Sequence, residues 1–374
     1  MQRSSARPGD TIASVETPAL VIDLDAMERN LEAMAVFART HGVRLRPHAK
    51  MHKSAAIAKA QIAAGAVGVC VQKLSEAEVL ADAGITDIYI SNEVIDAAKL
   101  TRVAALAGRI NLAIAVDSIL GVDRLAEACK AAGCAPEVFV EIDVGQGRCG
   151  VSPAEAGALA QHVVSRGLRF AGLQAYQGGA QHVRGAAERE AASRGAATLV
   201  RAAQMSITSL GIACPLVTGG GTGTFVFEAA SGIWGEMQAG SYLFMDNEYA
   251  GIEPAEHAPQ FEHALFVKSQ VMSRSASHVV VDAGIKAYAI DAGLPRAWQR
   301  ELEMYNYGDE HGVLKASNSG SSADLPQLGE IVWLVPGHCD PTVNLHDNYV
   351  AVRGGLERGV VEVLWPVDAR GCMI

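Results

Sequence analysis

A basic segment near the N-terminus carries a lysine that could act as a nucleophile. Lys50 lies close in sequence to Arg44, Arg46 and Lys53. Like charge at close range disfavours an ammonium ion, and the neutral amine is the form that attacks a carbonyl carbon. The same composition is also typical of a solvated basic turn. The segment therefore predicts either a nucleophilic lysine at residue 50 or an exposed turn.

A glycine-rich segment at residues 219–224 is a candidate anion site. Glycines let backbone N–H groups approach an anion closely, and the hydroxyls of Thr222 and Thr224 add donors. The same residues also suit a flexible turn. We expect the segment to follow the eighth strand of a barrel, and phosphate sites are common after strands 7 and 8 of such barrels.

His338 and Asp340 form a candidate metal pair. They are two residues apart, so an extended backbone would place both side chains on one face and Cys339 on the other. Imidazole and carboxylate ligands suit Mn²⁺, Mg²⁺ or similar ions better than a metal that prefers thiolates. Pairs of this kind also stabilise turns, so the two interpretations stay open at this point.

Three further polar residues are candidates for binding or proton transfer. Arg148 lies in a glycine-rich loop that could bring its guanidinium to a substrate or cofactor, or leave it as a surface charge. His52 and His182 follow predicted strands and could serve as general bases, although loop histidines also have structural roles.

The elements that must position these residues alternate in type from residue 17 to about residue 246. Short β-branched runs alternate with Ala- and Leu-rich stretches of helical period, which is typical of successive βα units. Strands are predicted at residues 19–24, 43–46, 67–71, 88–91, 111–116, 138–142, 169–175 and 215–217. They predict a (β/α)8 barrel of the TIM type, with its site at the C-terminal ends of the strands. Lys50, Tyr176 and Thr218 follow predicted strands and should converge there.

The pattern changes after residue 246, where alternating runs predict a smaller, mostly β domain. We expect an N-terminal arm at 1–16 that joins this domain, a barrel at 17–250, and the β domain at 251–374 with His338 and Asp340. Residues 309–325, rich in Gly, Ser and Asn, are predicted to form a long loop that could overhang the barrel mouth.

Composition excludes several classes of protein. The chain has 374 residues, 49% of them hydrophobic, and a formal net charge of -10, which disfavours nucleic acid and anionic lipid as partners. Its polar start and the lack of an apolar stretch of about 20 residues predict neither a signal peptide nor a membrane span. The seven cysteines include no C-x-x-C pair, which disfavours a disulfide framework or a zinc cluster. We expect a cytoplasmic protein with reduced thiols.

Taken together, the motifs resemble those of the D-threonine aldolase and 3-hydroxy-D-aspartate aldolase family. This family belongs to the alanine-racemase-like, fold type III enzymes that use pyridoxal 5'-phosphate. The likeness covers nearly the whole chain and is carried by residues 16–20, 46–50, 143–151, 219–223, 239–242, 337–342 and 344–347.

The resemblance implies a role for most of the candidates. It implies that Lys50, not Lys53, bonds to the cofactor, that a divalent metal, Mn²⁺ or Mg²⁺, binds His338 and Asp340, and that Arg148 lies near the cofactor ring. The remaining cofactor-binding residues are predicted at the phosphate loop and the strand ends, namely Gly220, Gly221, Thr222, Ser241, Tyr242, Tyr176 and Thr218. His182 is the preferred proton-transfer residue and His52 the second.

The implied reaction is a metal-dependent cleavage of the Cα–Cβ bond of D-3-hydroxy amino acids to glycine and an aldehyde. The substrate would be D-threonine or, alternatively, 3-hydroxy-D-aspartate, whose extra carboxylate needs a cation such as Arg184, Arg46 or Lys286. The resemblance also implies a homodimer in which one subunit's β domain completes the other's site.

Three other functions are open at this stage. A D-serine or 3-hydroxyaspartate dehydratase of the same fold carries a His-x-Cys zinc pair, whereas Asp340 stands at that position here and the thiol is one residue earlier. A non-catalytic protein that binds pyridoxal phosphate would resemble the barrel alone and would not need the metal pair. A metal-dependent barrel hydrolase would not need Lys50.

Overall fold

The computed structural model describes residues 6–317 and 325–374, and their strands form two sheets. The strands are β1 Ala19–Asp23, β2 Arg44–Leu45, β3 Val69–Val71, β4 Asp87–Ile90, β5 Asn111–Val116, β6 Glu137–Glu141, β7 Arg169–Gln174, β8 Val217–Gly219, β9 Glu236–Met237, β10 Leu265–Arg274, β11 Val279–Val281, β12 Arg296–Ala297, β13 Leu302–Tyr307, β14 Gly312–Ala316, β15 Ile331–Val335, β16 Asn348–Arg353 and β17 Val360–Pro366.

Helices of very different lengths connect these strands. They are α1 Leu24–His41, α2 Ala55–Ala63, α3 Leu74–Asp82, α4 Ala97–Ala107, α5 Ile119–Ala132, α6 Ala156–Ser165, α7 Ala186–Thr208, α8 Phe225–Ala230, α9 Asn247–Ala250, α10 Cys339–Val343 and α11 Gly355–Arg358, with short 3-10 helices at Ile12–Ser14, Ala49–Met51, Gly179–His182 and Ser241–Leu243.

The first sheet is a closed parallel barrel. Its eight strands follow the order β2-β9-β8-β7-β6-β5-β4-β3. The ends of this path meet because the N–H of Val67 donates to the carbonyl of Leu45 at 2.9 Å and that of Cys70 to Pro47 at 2.8 Å. Side chains such as Tyr89 and Phe139 form a small cluster separate from the large apolar core. The predicted TIM-type barrel, followed by a mostly β region, is confirmed.

One predicted barrel strand belongs to the other sheet. β1, predicted as the first barrel strand, pairs antiparallel with β10 and parallel with β16. The barrel is completed instead by β9, a two-residue strand that the sequence analysis missed. A short apolar run has the same pattern in either sheet, and its partner depends on residues distant in sequence. β9 is too short to show a period.

The second sheet follows the order β13-β14-β11-β10-β1-β16-β17, with β15 paired to β10 and β12 paired to β15. The predicted loop at 309–325 is partly wrong, because β14 lies within it and pairs with β11 and β13. Residues 318–324 of that predicted loop lie outside the described residues.

The N-terminal arm contacts the edge of the second sheet. The N–H of Gly9 donates to the carbonyl of Val361 at 2.8 Å, and the N–H of Ile12 donates to Gly359 at 2.8 Å. The limits proposed for the arm and the two domains stay predictions. No helix in the described ranges is long and apolar enough to cross a membrane.

Candidate active site

A cavity of about 560 Å³ opens at the C-terminal ends of the barrel strands. Nine predicted site residues line it: Lys50, Arg148, Tyr176, His182, Gly221, Thr222, Ser241, His338 and Asp340. The first seven come from the barrel half of the chain, and the last two come from the turn after β15. The structure therefore brings the candidate nucleophile, anion loop and metal pair into one space. A larger cavity of about 1320 Å³ lies along the second sheet and contains none of these residues.

Lys50 contacts an acid and not the basic residues near it in sequence. Its Nζ lies 3.2 Å from Oδ2 of Asp340. This negative neighbour raises the pKa of Lys50, although burial acts against the shift. Arg46 is buried, where its Nε lies 3.1 Å from Glu236, and Lys53 lies 2.6 Å from Glu76. The expected repulsion by like charge is therefore wrong, because these cations are paired with acids elsewhere.

His338 and Asp340 meet at the start of α10. Nε2 of His338 lies 3.5 Å from Oδ1 of Asp340, while its Nδ1 lies 2.7 Å from Oδ2 of Asp291. The backbone is not extended beyond His338, so the expected strand geometry is wrong at this point. The thiol of Cys339 is nevertheless turned away, since the residue is fully buried and its Sγ lies 4.0 Å from the carbonyl of Met245.

The charges of this pair stabilise one another. Burial alone would raise the pKa of Asp340, but Lys50 and His338 lower it well below its ordinary value. Burial opposes the charged form of His338, yet its contacts with Asp340 and Asp291 raise its pKa to about 9. An ionised carboxylate and an imidazole that gives up its Nε2 proton on metal binding are a suitable donor set for a divalent cation.

The glycine-rich loop follows β8, which is the seventh strand of the barrel and not the eighth as predicted. A Cβ at Gly221 would lie 2.4 Å from Oε1 of Gln181, so any other residue at this position would have to displace that side chain. The hydroxyl of Thr222 accepts from the N–H of Tyr242 at 3.0 Å. The N–H groups of Thr222 and Ser241 have no acceptor within the described ranges. Both residues line the cavity, so these donors suit an anionic group bound there.

Four predicted residues do not line the cavity. Thr218 is buried, where its hydroxyl donates to Glu236 at 2.9 Å. Gly220 is part of the loop but lies on its side away from the cavity, close to Glu228. The ring of Tyr242 packs against Phe261. Thr218, Gly220 and the side chain of Tyr242 therefore support the residues that line the cavity and do not line it themselves.

His52 is the fourth, and its position does not support a role as general base. Its Nε2 lies 3.2 Å from the side chain of Gln61 and its Nδ1 accepts from the N–H of Ser54 at 3.1 Å. Burial lowers its pKa to about 4. A general base must reach the substrate, and His52 is closed off from the cavity. His182, in contrast, lines the cavity with its Nδ1 2.5 Å from Oε1 of Glu248.

Arg148 lies over a tyrosine at the cavity wall. Its guanidinium carbon is 5.6 Å from the centre of the Tyr176 ring, and its Nη2 is 3.8 Å from Glu141. Burial and the neighbouring Glu93 raise the pKa of Glu141 to about 9. A carboxyl group that resists ionisation competes less for the positive charge of Arg148, which is therefore more available to a group inside the cavity.

Comparisons with known proteins agree with this arrangement. Residues 22–248 match the family described as alanine racemase, N-terminal domain, and residues 264–352 match the putative serine dehydratase domain. The chain is 46% identical to a D-threonine aldolase from Arthrobacter sp, over 98% of this chain and 96% of that protein. The chain belongs to the D-threonine aldolase and 3-hydroxy-D-aspartate aldolase family. A 3-hydroxy-D-aspartate aldolase from Paracoccus denitrificans is 42% identical over 98% of this chain and 95% of its own.

Solved structures of aldolase-family relatives share the whole fold. A D-threonine aldolase from Filomicrobium marinum superposes with a TM-score of 0.96 and 48% identity, over 100% of both chains. A D-threo-3-hydroxyaspartate dehydratase from Delftia sp. is more distant, with a TM-score of 0.84 and 28% identity over 96% of this chain and 98% of that one. The family is one of pyridoxal-phosphate enzymes of fold type III.

The aldolase-family cavity of this chain fits pyridoxal phosphate. It offers the amine of Lys50 for the aldehyde, free backbone donors at Thr222 and Ser241 for the phosphate, and the guanidinium of Arg148 for the ring. Such donors at the C-terminal end of a barrel are the common form of phosphate site.

Sequence analysis of this aldolase-family member missed several polar residues at the cavity. His48 lines it with its Nε2 2.9 Å from the amide nitrogen of Gln72, and burial followed by the charge of Lys50 lowers its pKa well below the ordinary value. Gln72 directly follows a predicted strand and His48 lies two residues after another, which is a signal that could have identified them. Asp291 gave no such signal, because it lies in a loop and reaches His338 only through the fold.

A buried acid behind the anion loop of this aldolase-family chain gives a prediction about pH. Glu228 is 1% exposed and accepts from the hydroxyl of Thr224 at 2.9 Å. Burial raises its pKa to about 8, although the bond from Thr224 acts against the shift. Between its ordinary pKa and about 8 the folded state therefore binds more protons than the unfolded state. Stability contributed by this group is complete at acid pH and is lost as the pH rises.

We expect the free energy of unfolding to fall by up to ~1.4 kcal/mol per pH unit between about pH 5 and pH 8 from this group alone. Glu228→Gln should remove that contribution and be relatively more stable at pH 8.5. Urea unfolding of both proteins at several pH values measures the two slopes. Parallel pH profiles for the wild type and the variant would contradict a proton held on Glu228.

Proposed function

We propose that the protein is a pyridoxal-phosphate- and divalent-metal-dependent aldolase that cleaves D-3-hydroxy amino acids, and D-threonine first, to glycine and an aldehyde. The carboxylate of Asp340 carries this proposal, because it lies 3.2 Å from Lys50 and 3.5 Å from His338. The candidate cofactor lysine and the candidate metal pair therefore serve one cavity. Similarity to a D-threonine aldolase over 98% of the chain supports the same reaction.

We assign roles to the barrel residues on the basis of their positions. Lys50 would hold the cofactor covalently, and the N–H groups of Thr222 and Ser241, with the backbone at Gly221, would hold its phosphate. Arg148, fixed over Tyr176, provides the positive charge at the ring. When bound, pyridoxal phosphate accepts the electron pair released from the breaking Cα–Cβ bond.

The turn after β15 provides the second half of the site. His338 and Asp340 would hold Mn²⁺ or Mg²⁺, and such an ion would supply a Lewis acid for the β-hydroxyl of the substrate. His182 lines the same cavity, and we assign it the acceptance of the hydroxyl proton. Its contact with Glu248 at 2.5 Å limits how far its ring can turn.

The part of the cavity lining that one chain provides favours D-threonine over 3-hydroxy-D-aspartate. A second substrate carboxylate needs a further cation, and none of the three candidates lines the cavity in the described part of the chain. Arg46 is buried against Glu236, and Lys286 is exposed, 2.5 Å from Glu310. Arg184 contributes its carbonyl to Arg189. The methyl group of D-threonine is neutral and needs no such cation.

The position of the thiol favours cleavage over elimination. The zinc pair that the resemblance implies for the dehydratases needs a cysteine beside the histidine in the cavity. Here Cys339 is fully buried and its Sγ lies 4.0 Å from the carbonyl of Met245. Asp340 takes the cavity position instead.

We also propose that the enzyme is a homodimer in the cytoplasm. The family resemblance supports the dimer, and the seven free cysteines support a reducing compartment.

Aldehyde release from D-threonine tests the proposed reaction. Purified protein with pyridoxal phosphate and Mn²⁺ should release acetaldehyde from D-threonine and none from L-threonine. A chelator should remove most of the activity, and Mn²⁺ should restore it. Glyoxylate from 3-hydroxy-D-aspartate should form with a lower kcat/KM. Ammonia and a keto acid in place of an aldehyde would contradict the proposal and assign the protein to the dehydratases.

A further inference from the structure

We propose that Asp291 is a positioning residue for the metal site: it fixes the ring of His338 so that Nε2 faces the ion. This inference rests on the proposed function, in which His338 and Asp340 hold a divalent cation. Oδ2 of Asp291 lies 2.7 Å from Nδ1 of His338, and the opposite ring nitrogen lies 3.5 Å from Asp340. The three side chains therefore form a line from the loop to the cavity.

The chemistry of the two groups determines which nitrogen is free. An ionised carboxylate can only accept a hydrogen bond, so the ring nitrogen that faces Asp291 must carry a proton. Metal binding releases the proton of the other ring nitrogen, and the neutral imidazole then has its lone pair on Nε2, on the side of Asp340. A carboxylate on the far nitrogen of a metal-binding histidine fixes the ring in this way in many proteins. Asp291 is not among the residues that line the cavity. Its effect must therefore act through His338.

Asp291 lies on a loop that is attached to the metal-pair turn at three other points. The N–H of Ala289 donates to the hydroxyl of Thr342 at 3.1 Å, and that hydroxyl donates to the carbonyl of His338 at 2.8 Å. His346 lies 2.7 Å from the carbonyl of Ala287.

The third attachment is a close contact between two glycines. A Cβ at Gly337 would lie 2.2 Å from the carbonyl oxygen of Gly293, which no side chain could tolerate. The two backbones therefore pack directly on each other beside the Asp291–His338 pair. Because the loop is held independently of that pair, removal of the Asp291 carboxylate should leave the loop in place and free only the imidazole ring.

The affinity for Mn²⁺ is the direct test. Free Mn²⁺ is measured by electron paramagnetic resonance during titration of the protein loaded with pyridoxal phosphate, without substrate. We expect Asp291→Ala to weaken Mn²⁺ binding by about 10- to 100-fold. Asp291→Asn should weaken it less, because the amide oxygen still accepts from Nδ1. With excess Mn²⁺, kcat of both variants should return to near the wild-type value.

The chain offers a matched control for a lost carboxylate–imidazole pair. Asp123 lies 2.8 Å from Nε2 of His162 on the outer helices of the barrel. Asp123→Ala should leave the Mn²⁺ affinity unchanged. In a His338→Ala background, Asp291→Ala should cause no further loss, because Asp291 acts only through that ring.

Two results would overturn the inference alone. One is wild-type Mn²⁺ affinity in Asp291→Ala. The other is that Asp291→Ala lowers the Mn²⁺ affinity of the His338→Ala variant by the same factor as it lowers that of the wild type. Wild-type Mn²⁺ affinity in His338→Ala would have a different meaning. It would show that the metal site of the proposed function is wrong and would overturn the inference with it.

Discussion

Lys50→Ala is expected to abolish aldehyde release, with a loss of at least about 10⁴-fold in kcat, as is typical when the residue that forms the covalent bond is removed. Lys50 lines the cavity, and we assign its amine the bond to the cofactor aldehyde. Nearby Lys53 is buried against Glu76 instead. The visible absorbance of bound pyridoxal phosphate should disappear together with activity. Both are measured on protein dialysed after loading with the cofactor.

Lys50→Arg separates the covalent role from the electrostatic one. An arginine keeps a positive charge beside Asp340, yet its guanidinium does not form the bond. It should be as inactive as the alanine variant while the fold is retained. Lys59 is an exposed lysine on α2, so Lys59→Ala is a suitable control that should keep full activity. Aldehyde release by Lys50→Ala above the control without enzyme would contradict the assignment.

The convergence of the site could be predicted because it depends on topology. Parallel strands of a barrel end at one face, so side chains that follow them must meet there. Lys50 and Tyr176 did so, although β1 had been placed in the wrong sheet and β9 had been missed. Those two errors leave the positions of Lys50 and Tyr176 unchanged, since both follow barrel strands that were correctly placed, whereas Ser241 follows the missed strand β9.

The electrostatics could not be predicted from neighbours in sequence. Arg46 is four residues before Lys50, yet the strand directs it into the barrel, where it meets Glu236. The partner of Lys50 is Asp340, 290 positions later in the chain. The predicted depression of the lysine's pKa was therefore wrong in sign. The first contact is set by the pairing of β2 with β9 in the barrel and the second by the packing of the second sheet against the barrel, and no local pattern encodes either.

For the metal pair, too, the sequence predicted which residues meet but not the contacts made by distant residues. The spacing of His338 and Asp340 predicted that they would share a face and exclude Cys339, and their nitrogen and oxygen atoms do meet at 3.5 Å. An extended backbone was expected to place them on one face, whereas the backbone becomes helical at Cys339, the first residue of α10. Asp291, which contacts the far side of the ring, lies 47 positions away.

Asp340→Asn is expected to lower kcat by about 10³-fold, because loss of metal-assisted charge stabilisation is worth several kcal/mol. An amide is a much poorer ligand than a carboxylate for Mn²⁺ or Mg²⁺. Mn²⁺ should therefore bind more weakly and should no longer restore activity after treatment with a chelator. The measurements are the aldehyde assay against Mn²⁺ concentration and Mn²⁺ binding without substrate.

His338→Asn is the variant that makes this result interpretable. Asp340 also contacts Lys50 at 3.2 Å, so Asp340→Asn removes two interactions, whereas His338→Asn leaves the lysine contact intact. Equal losses of Mn²⁺ affinity and activity in both variants would attribute the effect to the metal. Asp309 is an exposed carboxylate of the same region, so Asp309→Asn should change neither quantity. Full activity without Mn²⁺ in His338→Asn would contradict a catalytic metal. Tight zinc binding that survives Asp340→Asn would instead show that Cys339 reaches the site.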